Sequence, residues 1–410
     1  MTAPVLAPAG PAHRFEPRIA ERGRRLAFID NLRWTMIVLV ISMHAADTYS
    51  PLGSWYYVER PRLGAPTLLA FAAWQLYLQS FFMGLLFFVA GVFAPASLDR
   101  KGTGRFIRDR AFRLGLPVLF YMFVLGPVTE YFFAHSWNST EPTSFANEWI
   151  KHIRNGQFMQ ENGPLWFCLA LLVFSVAYAG LRAWRGPARG PARAPTRDGD
   201  RLRDSAPPTT LALIGFAVAI AAGRFVLHLV LPPGTSVLNM HLGDFSQYVF
   251  LFVAGIVAAR RGWLPRLSHA AGLRWLRIVL PLGFVAWLAI VASGVQPDGS
   301  VHLQLDGWHW QSAAMSLWES LTCVALSLGL LVVFRERFNS QGRLARFLSD
   351  NAFSVYVFHP PIVIAGARLL HEVALAPFAK FVVLTIISTI VTFSLSALVF
   401  RRIPILRAIL

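Results

Sequence analysis

Apolar runs of roughly membrane-crossing length, separated by shorter polar connections, make up most of this 410-residue chain. A helix needs about 20 apolar residues to cross about 30 Å of hydrocarbon. Ten runs approach that length: 34–50, 68–94, 114–134, 164–182, 209–231, 245–259, 276–294, 311–334, 350–370 and 378–400, the sixth being short. The pattern predicts an all-α polytopic membrane protein, a bundle of about ten transmembrane helices spread over 27–400. Residues 1–26 read as a disordered basic tail and 401–410 as a second short tail. Residues 183–208, rich in Arg, Pro, Gly and Ala with no apolar periodicity, read as a disordered linker. Residues 135–163 form the longest loop on the opposite side. With Trp137, Glu141, Trp149, His152 and Glu161 among them, they suit a partly folded cap over a site. No internal repeat suggests the paired halves common in transporters.

Composition sharpens this picture. The chain is 55% hydrophobic and only 14% charged, whereas soluble chains carry about a quarter charged residues. A net charge of +17 would suit nucleic acid, but the positions of the charges exclude that reading. With the N-terminus in the cytoplasm, 31 of the 38 Lys and Arg residues fall in the six inward segments. This positive-inside bias predicts both termini in the cytoplasm, and it explains the net charge through the bilayer with no nucleic-acid partner. Cys168 and Cys323 each lie within an apolar run and read as packing residues.

The stretch VLVISMHAADTYS interrupts the first run with His44 and Asp47. Residues three apart on a helix share a face, and Asp30 and Arg33 return to nearly the same face. The first helix therefore carries one polar stripe, Asp30–Arg33–His44–Asp47. Arg33 and His44 are separated by roughly 16 Å at 1.5 Å per residue, which puts His44 near mid-depth. Ionisable groups inside a membrane are costly and mark function by default. An imidazole can also take and return a proton near neutral pH. A histidine satisfied by a neighbouring helix is the plain alternative.

Three further stretches carry candidate chemistry. In RFIRDRAFRLGLP, Arg110 and Arg113 share a face where the third run begins. Arginine forks suit phosphate, although inward anchoring also places arginines there. In NGPLWFCLALL, Trp166 stands one turn into the fourth run, either as an interfacial anchor or at a site. In SDNAFSVYVFHPPIVI, Tyr356 and His359 lie three apart, and Pro360-Pro361 kink the helix just beyond them. His359 falls at a depth similar to His44, with no third ligand at helix spacing to make a metal site.

Taken together, FIDNLRWTMIVLVISMH, FFVAGVFAP, RDRAFRLGLP, GPLWFCLALL and SVYVFHPPIVI resemble, in order and spacing, the acyltransferase-3 family of integral-membrane O-acyltransferases. The resemblance covers roughly 27–400. It leans toward the branch that includes the glucan succinyltransferases (glucan biosynthesis protein C). Many sugar O-acetylating members have a Glu shortly after the fourth-run Trp, whereas Leu169 to Phe174 contain none. The resemblance implies a multi-pass protein of the bacterial inner membrane. It implies transfer of an acetyl- or succinyl-class group from a cytoplasmic acyl-CoA to a hydroxyl of an outer-side carbohydrate or glycolipid. In that scheme His44 is the general base and Asp47 orients it. Arg33, Arg110 and Arg113 bind the donor, and Asp30, Trp166, Tyr356 and His359 contact substrate. No permanently bound cofactor or metal is implied, and acyl-CoA is a cosubstrate. The competing readings are an exporter of a lipid-linked or glycan substrate and a membrane sensor.

Overall fold

The computed structural model describes residues 26–53, 55–135, 144–159, 162–186, 206–232, 234–404 and 406. The expected tail up to Arg25, most of the 183–208 linker, and Trp137, Glu141 and Glu161 of the long loop lie outside the described residues.

The architecture is a helical bundle: α1 Ala27–Tyr49, α2 Ala65–Lys101, α3 Thr103–Ala134, α4 Phe145–Arg154, α5 Trp166–Trp184, α6 Thr210–Val230, α7 Phe245–Arg261, α8 His269–Ala292, α9 Trp310–Arg337, α10 Arg343–Leu369 and α11 Pro377–Leu398. A two-residue hairpin, Ser236–Val237 with Met240–His241, lies between α6 and α7. Among the described residues, nine helices are long and apolar enough to cross a membrane: all but α1 and the short α4. With its 23 residues α1 is also long enough, but Asp30, Arg33, His44 and Asp47 dilute its apolar character. It packs against α2, α9, α10 and α11. Of its polar stripe, Asp47 and most of His44 are enclosed by protein, since exposure to lipid would be expensive for them, while Arg33 stays exposed at the arginine-rich end. Several helices overrun their apolar stretches at the arginine-rich end. α2 continues to Lys101 and α10 begins at Arg343, because a helix that has left the hydrocarbon needs no apolar side chains to continue.

Two local features hold the bundle. The sequence of α3 includes Pro117 and Pro127, and the helix widens into π turns at Ala111–Gly115, Tyr121–Leu125 and Thr129–His135. Pro127 has no N–H for the Phe123 carbonyl four residues before it. Trp149 of α4 supplies the missing donor through Nε1 at 2.8 Å, and His152 Nε2 bonds the adjacent Met122 carbonyl at 3.1 Å. Part of the long loop is thus an amphipathic helix that satisfies backbone groups opened in α3. α2 and α7 meet backbone to backbone: a Cβ added at Gly91 would lie 2.1 Å from the Phe252 carbonyl oxygen, and one at Gly255 would lie 2.1 Å from that of Phe88. Small residues allow this close approach, the usual basis of helix association in lipid. Elsewhere the mostly enclosed Arg224 of α6 pairs with Asp244 and Glu319, the latter at 2.7 Å.

Candidate active site

The polar stripe of α1 ends in a relay. His44 Nδ1 lies 3.2 Å from Asp47 Oδ2, and Gln75 of α2 donates from Nε2 to Asp47 Oδ1 at 2.7 Å. Asp47 is buried. A carboxylate only accepts, so it holds the proton on His44 Nδ1 and leaves Nε2 with a lone pair. The i, i+3 spacing makes the His–Asp pair, and Gln75 fixes the carboxylate from the next helix.

His359 lies at the kink of α10. Pro360 cannot donate to the Tyr356 carbonyl four residues before it, and His359 Nδ1 stands 2.8 Å from that oxygen. His359 therefore donates from Nδ1 and keeps its lone pair on Nε2. That atom is buried and has no hydrogen-bond partner among the described residues. The ring centroids of His44 and His359 are 5.3 Å apart, so the two histidines of separate runs share one chamber.

The connection between α1 and α2 (50–64, Ser54 aside) closes this chamber as a strap. The chain passes so close to Asp47 that a Cβ at Gly53 would lie 2.1 Å from Asp47 Oδ1. Trp55 then stacks on His44 with centroids 3.7 Å apart, and stands 6.3 Å from His359. These three distances close to nearly a right angle at His44. Trp55 covers the face of His44, and His359 sits beside its edge. Glu59 ties the strap to Lys380 Nζ at 3.4 Å and to His371 Nδ1 at 3.3 Å. The Tyr57 hydroxyl, pushed up to about 12 by burial and by Glu59, stays protonated and donates to Glu59 Oε1 at 3.4 Å, and it lies 3.1 Å from the same His371 nitrogen. Arg368 lies over the Tyr57 ring.

At the arginine-rich end a cavity of about 460 Å³ opens between α1, α2, α3, α5 and α10. Its mouth carries Arg33, Arg100, Lys101, Arg110 and Arg113, and its walls reach Cys168 and Tyr356, one helical turn before His359. Asp109 on the same wall is taken by Lys101 at 2.7 Å. Arg110 and Arg113 have no carboxylate partner among the described residues; Arg110 leans on the Phe106 ring. Unpaired guanidinium groups around a concave pocket suit a phosphorylated ligand.

The structure thus gathers Arg33, Arg110, Arg113 and Tyr356 at one cavity and His44, Asp47 and His359 at one chamber. Tyr356 contributes its ring to the cavity wall, while its hydroxyl donates to the Pro164 carbonyl in the turn before α5. Asp30 lies 3.8 Å from Arg33 and off the wall. Trp166 also lies off the wall, packed against Tyr248 with centroids 5.6 Å apart; its neighbours Phe167 and Cys168 line the cavity instead. Trp55 and Gln75 escaped sequence reasoning. Among the described residues no group of three His, Cys, Asp or Glu side chains could hold a metal ion.

The acyltransferase-3 family model, described as an acyltransferase domain, matches residues 26–398. No curated protein matches the chain.

Proposed function

The chain belongs to the acyltransferase-3 family, and on that premise we propose that it is an O-acyltransferase of the bacterial inner membrane. It moves an acetyl- or succinyl-class group from a cytoplasmic acyl-CoA to a hydroxyl of an outer-side carbohydrate or glycolipid, as the glucan succinyltransferase branch does. The observation that carries this reading is the Gln75–Asp47–His44 relay ending in a free imidazole nitrogen, set deeper in the bundle than a cavity whose mouth is lined with arginines.

Each part has a role. Arg110 and Arg113, with Arg33, hold the phosphates of the donor, and its thioester arm extends inward past Tyr356. His44 Nε2 takes the proton of the acceptor hydroxyl as the oxygen attacks the thioester carbonyl. Asp47 fixes the tautomer and stabilises the imidazolium that forms. The tetrahedral adduct then collapses, the C–S bond breaks, and the coenzyme thiolate recovers the proton from His44. Holding both substrates in one chamber supplies much of the rate.

The test uses the purified chain in lipid nanodiscs with acetyl- or succinyl-CoA, with and without a glycolipid and glycan extract of the host envelope. Coenzyme A release that requires the extract, ester formation on the acceptor, and loss of both in His44→Ala support the reading. Transport of a glycan across a vesicle with no coenzyme A release would replace it by the exporter.

A further inference from the structure

The relay explains how the hydroxyl loses its proton, but not what receives the negative charge that then develops on the thioester carbonyl oxygen. The chamber donors named above are mostly committed. Gln75 Nε2 is spent on Asp47. His44 and His359 each spend their Nδ1 proton, on Asp47 and on the Tyr356 carbonyl, and keep only a lone pair on Nε2. One donor beside the two imidazoles is not spent. Trp55 Nε1 is buried and has no hydrogen-bond partner among the described residues, although a buried tryptophan N–H usually finds one. Its ring lies on His44 and 6.3 Å from His359, and the strap that carries it is tied down through Glu59.

We propose that the indole N–H of Trp55 is the oxyanion donor of the acyl transfer, and this rests on the acyltransferase reading above. An indole N–H only donates, so it suits an atom that gains electrons. Directed at the attacking hydroxyl oxygen it would compete for the pair that forms the new bond. Directed at the carbonyl oxygen it strengthens as charge develops there. The electron balance is complete. The hydroxyl proton goes to His44 Nε2, and the oxygen pair forms the O–C bond. The carbonyl π pair moves to the oxygen held by Trp55, then returns as the C–S bond breaks. The same indole presents its face to His44 at 3.7 Å, within cation–π range of the imidazolium formed in that step. Trp55 therefore meets both charges that separate in the transition state.

Trp55→Phe keeps an aromatic ring on His44 and removes the N–H together with the second ring of the indole, so the packing loss is read separately through coenzyme A affinity and melting temperature. The measurement is the affinity of the full chain in nanodiscs for coenzyme A and for trifluoroacetonyl-coenzyme A, whose hydrated ketone mimics the tetrahedral adduct. The parent should bind the ketone well above coenzyme A. Trp55→Phe should lose about a hundredfold of that preference, the usual effect of one oxyanion donor, with coenzyme A affinity and melting temperature near those of the parent. A preference kept within about threefold overturns the assignment. So does an equal loss for both ligands, which marks a packing role. In turnover, a raised acceptor KM with unchanged kcat also overturns it. Failure of the parent to bind either coenzyme would instead overturn the donor site of the preceding section.

Discussion

Asp47→Asn tests the relay at its most specific point. Gln75 presents its N–H to position 47 at 2.7 Å, and the amide that replaces the carboxylate has a single oxygen. Gln75 claims that oxygen, which turns the new NH2 group toward His44 Nδ1. An NH2 can only donate, so His44 must accept on Nδ1 and carry its proton on Nε2, the tautomer that cannot act as a base. The side chain is isosteric and the hydrogen bonds are all kept, so folding should be little affected. General-base catalysis contributes about 10²–10⁴-fold, so kcat should fall by that factor, about 2.7–5.4 kcal/mol at 1.36 kcal/mol per decade. The structure also specifies a rescue. When Asp47→Asn is combined with Gln75→Glu, the carboxylate at position 75 takes the NH2 of the amide at position 47. The amide oxygen then turns back to His44 Nδ1–H. The double variant should regain at least about tenfold over the single one, with one carboxylate still in the relay. Coenzyme A release followed from pH 6 to 9, with melting temperatures on the same samples, measures both. A single variant with more than about a tenth of parental kcat, or a double variant no faster than the single, refutes the relay.

Arg110→Lys and Arg113→Lys keep the charge but lose the fork, and each should raise donor KM about tenfold, from about 1.5 kcal/mol per charged hydrogen bond; donor titration checks it, and unchanged KM reduces the pair to a topological anchor. His359→Asn retains a donor where Nδ1 stands and should melt near the parent while turnover drops at least about tenfold from loss of the Nε2 acceptor. His359→Gln loses the bond to the Tyr356 carbonyl and should melt lower; identical melting curves for the two would contradict the assigned tautomer. Gly255→Leu drives a side chain into the Phe88 carbonyl and should cost about 1–3 kcal/mol, seen as a melting temperature several degrees lower.

Much of the bundle was legible because hydrocarbon thickness imposes run length and the basic residues mark one side. His44 with Asp47, and Arg110 with Arg113, were legible because i, i+3 spacing within one helix requires no knowledge of neighbours. Tyr356 and His359 were legible through the prolines that follow them. What the sequence hides is whatever depends on how separate elements meet. Gln75 is one polar residue in a long apolar run, and it faces Asp47 only through the packing of α2 on α1. Trp55 reaches His44 only because the chain at Gly53 passes close over Asp47. Trp166 illustrates the converse: the motif marks the right turn, but rotation of α5 gives the cavity wall to Phe167 and Cys168. The Arg224–Asp244–Glu319 cluster likewise draws on three helical segments far apart in sequence.

The strap over the chamber has a consequence for the cell as well as for the reaction. An energised membrane stores its voltage across an insulating film, and a continuous thread of water through any one protein would discharge it. Here the cavity with the arginine mouth lies at one end of the bundle, His359 is fully enclosed, and the other approach to His44 is covered by an indole held down through Glu59, Lys380 and His371. If donor and acceptor arrive from opposite sides, as proposed above, the bundle would act as an airlock with one door shut, and the acyl group would cross the insulator without an accompanying leak current.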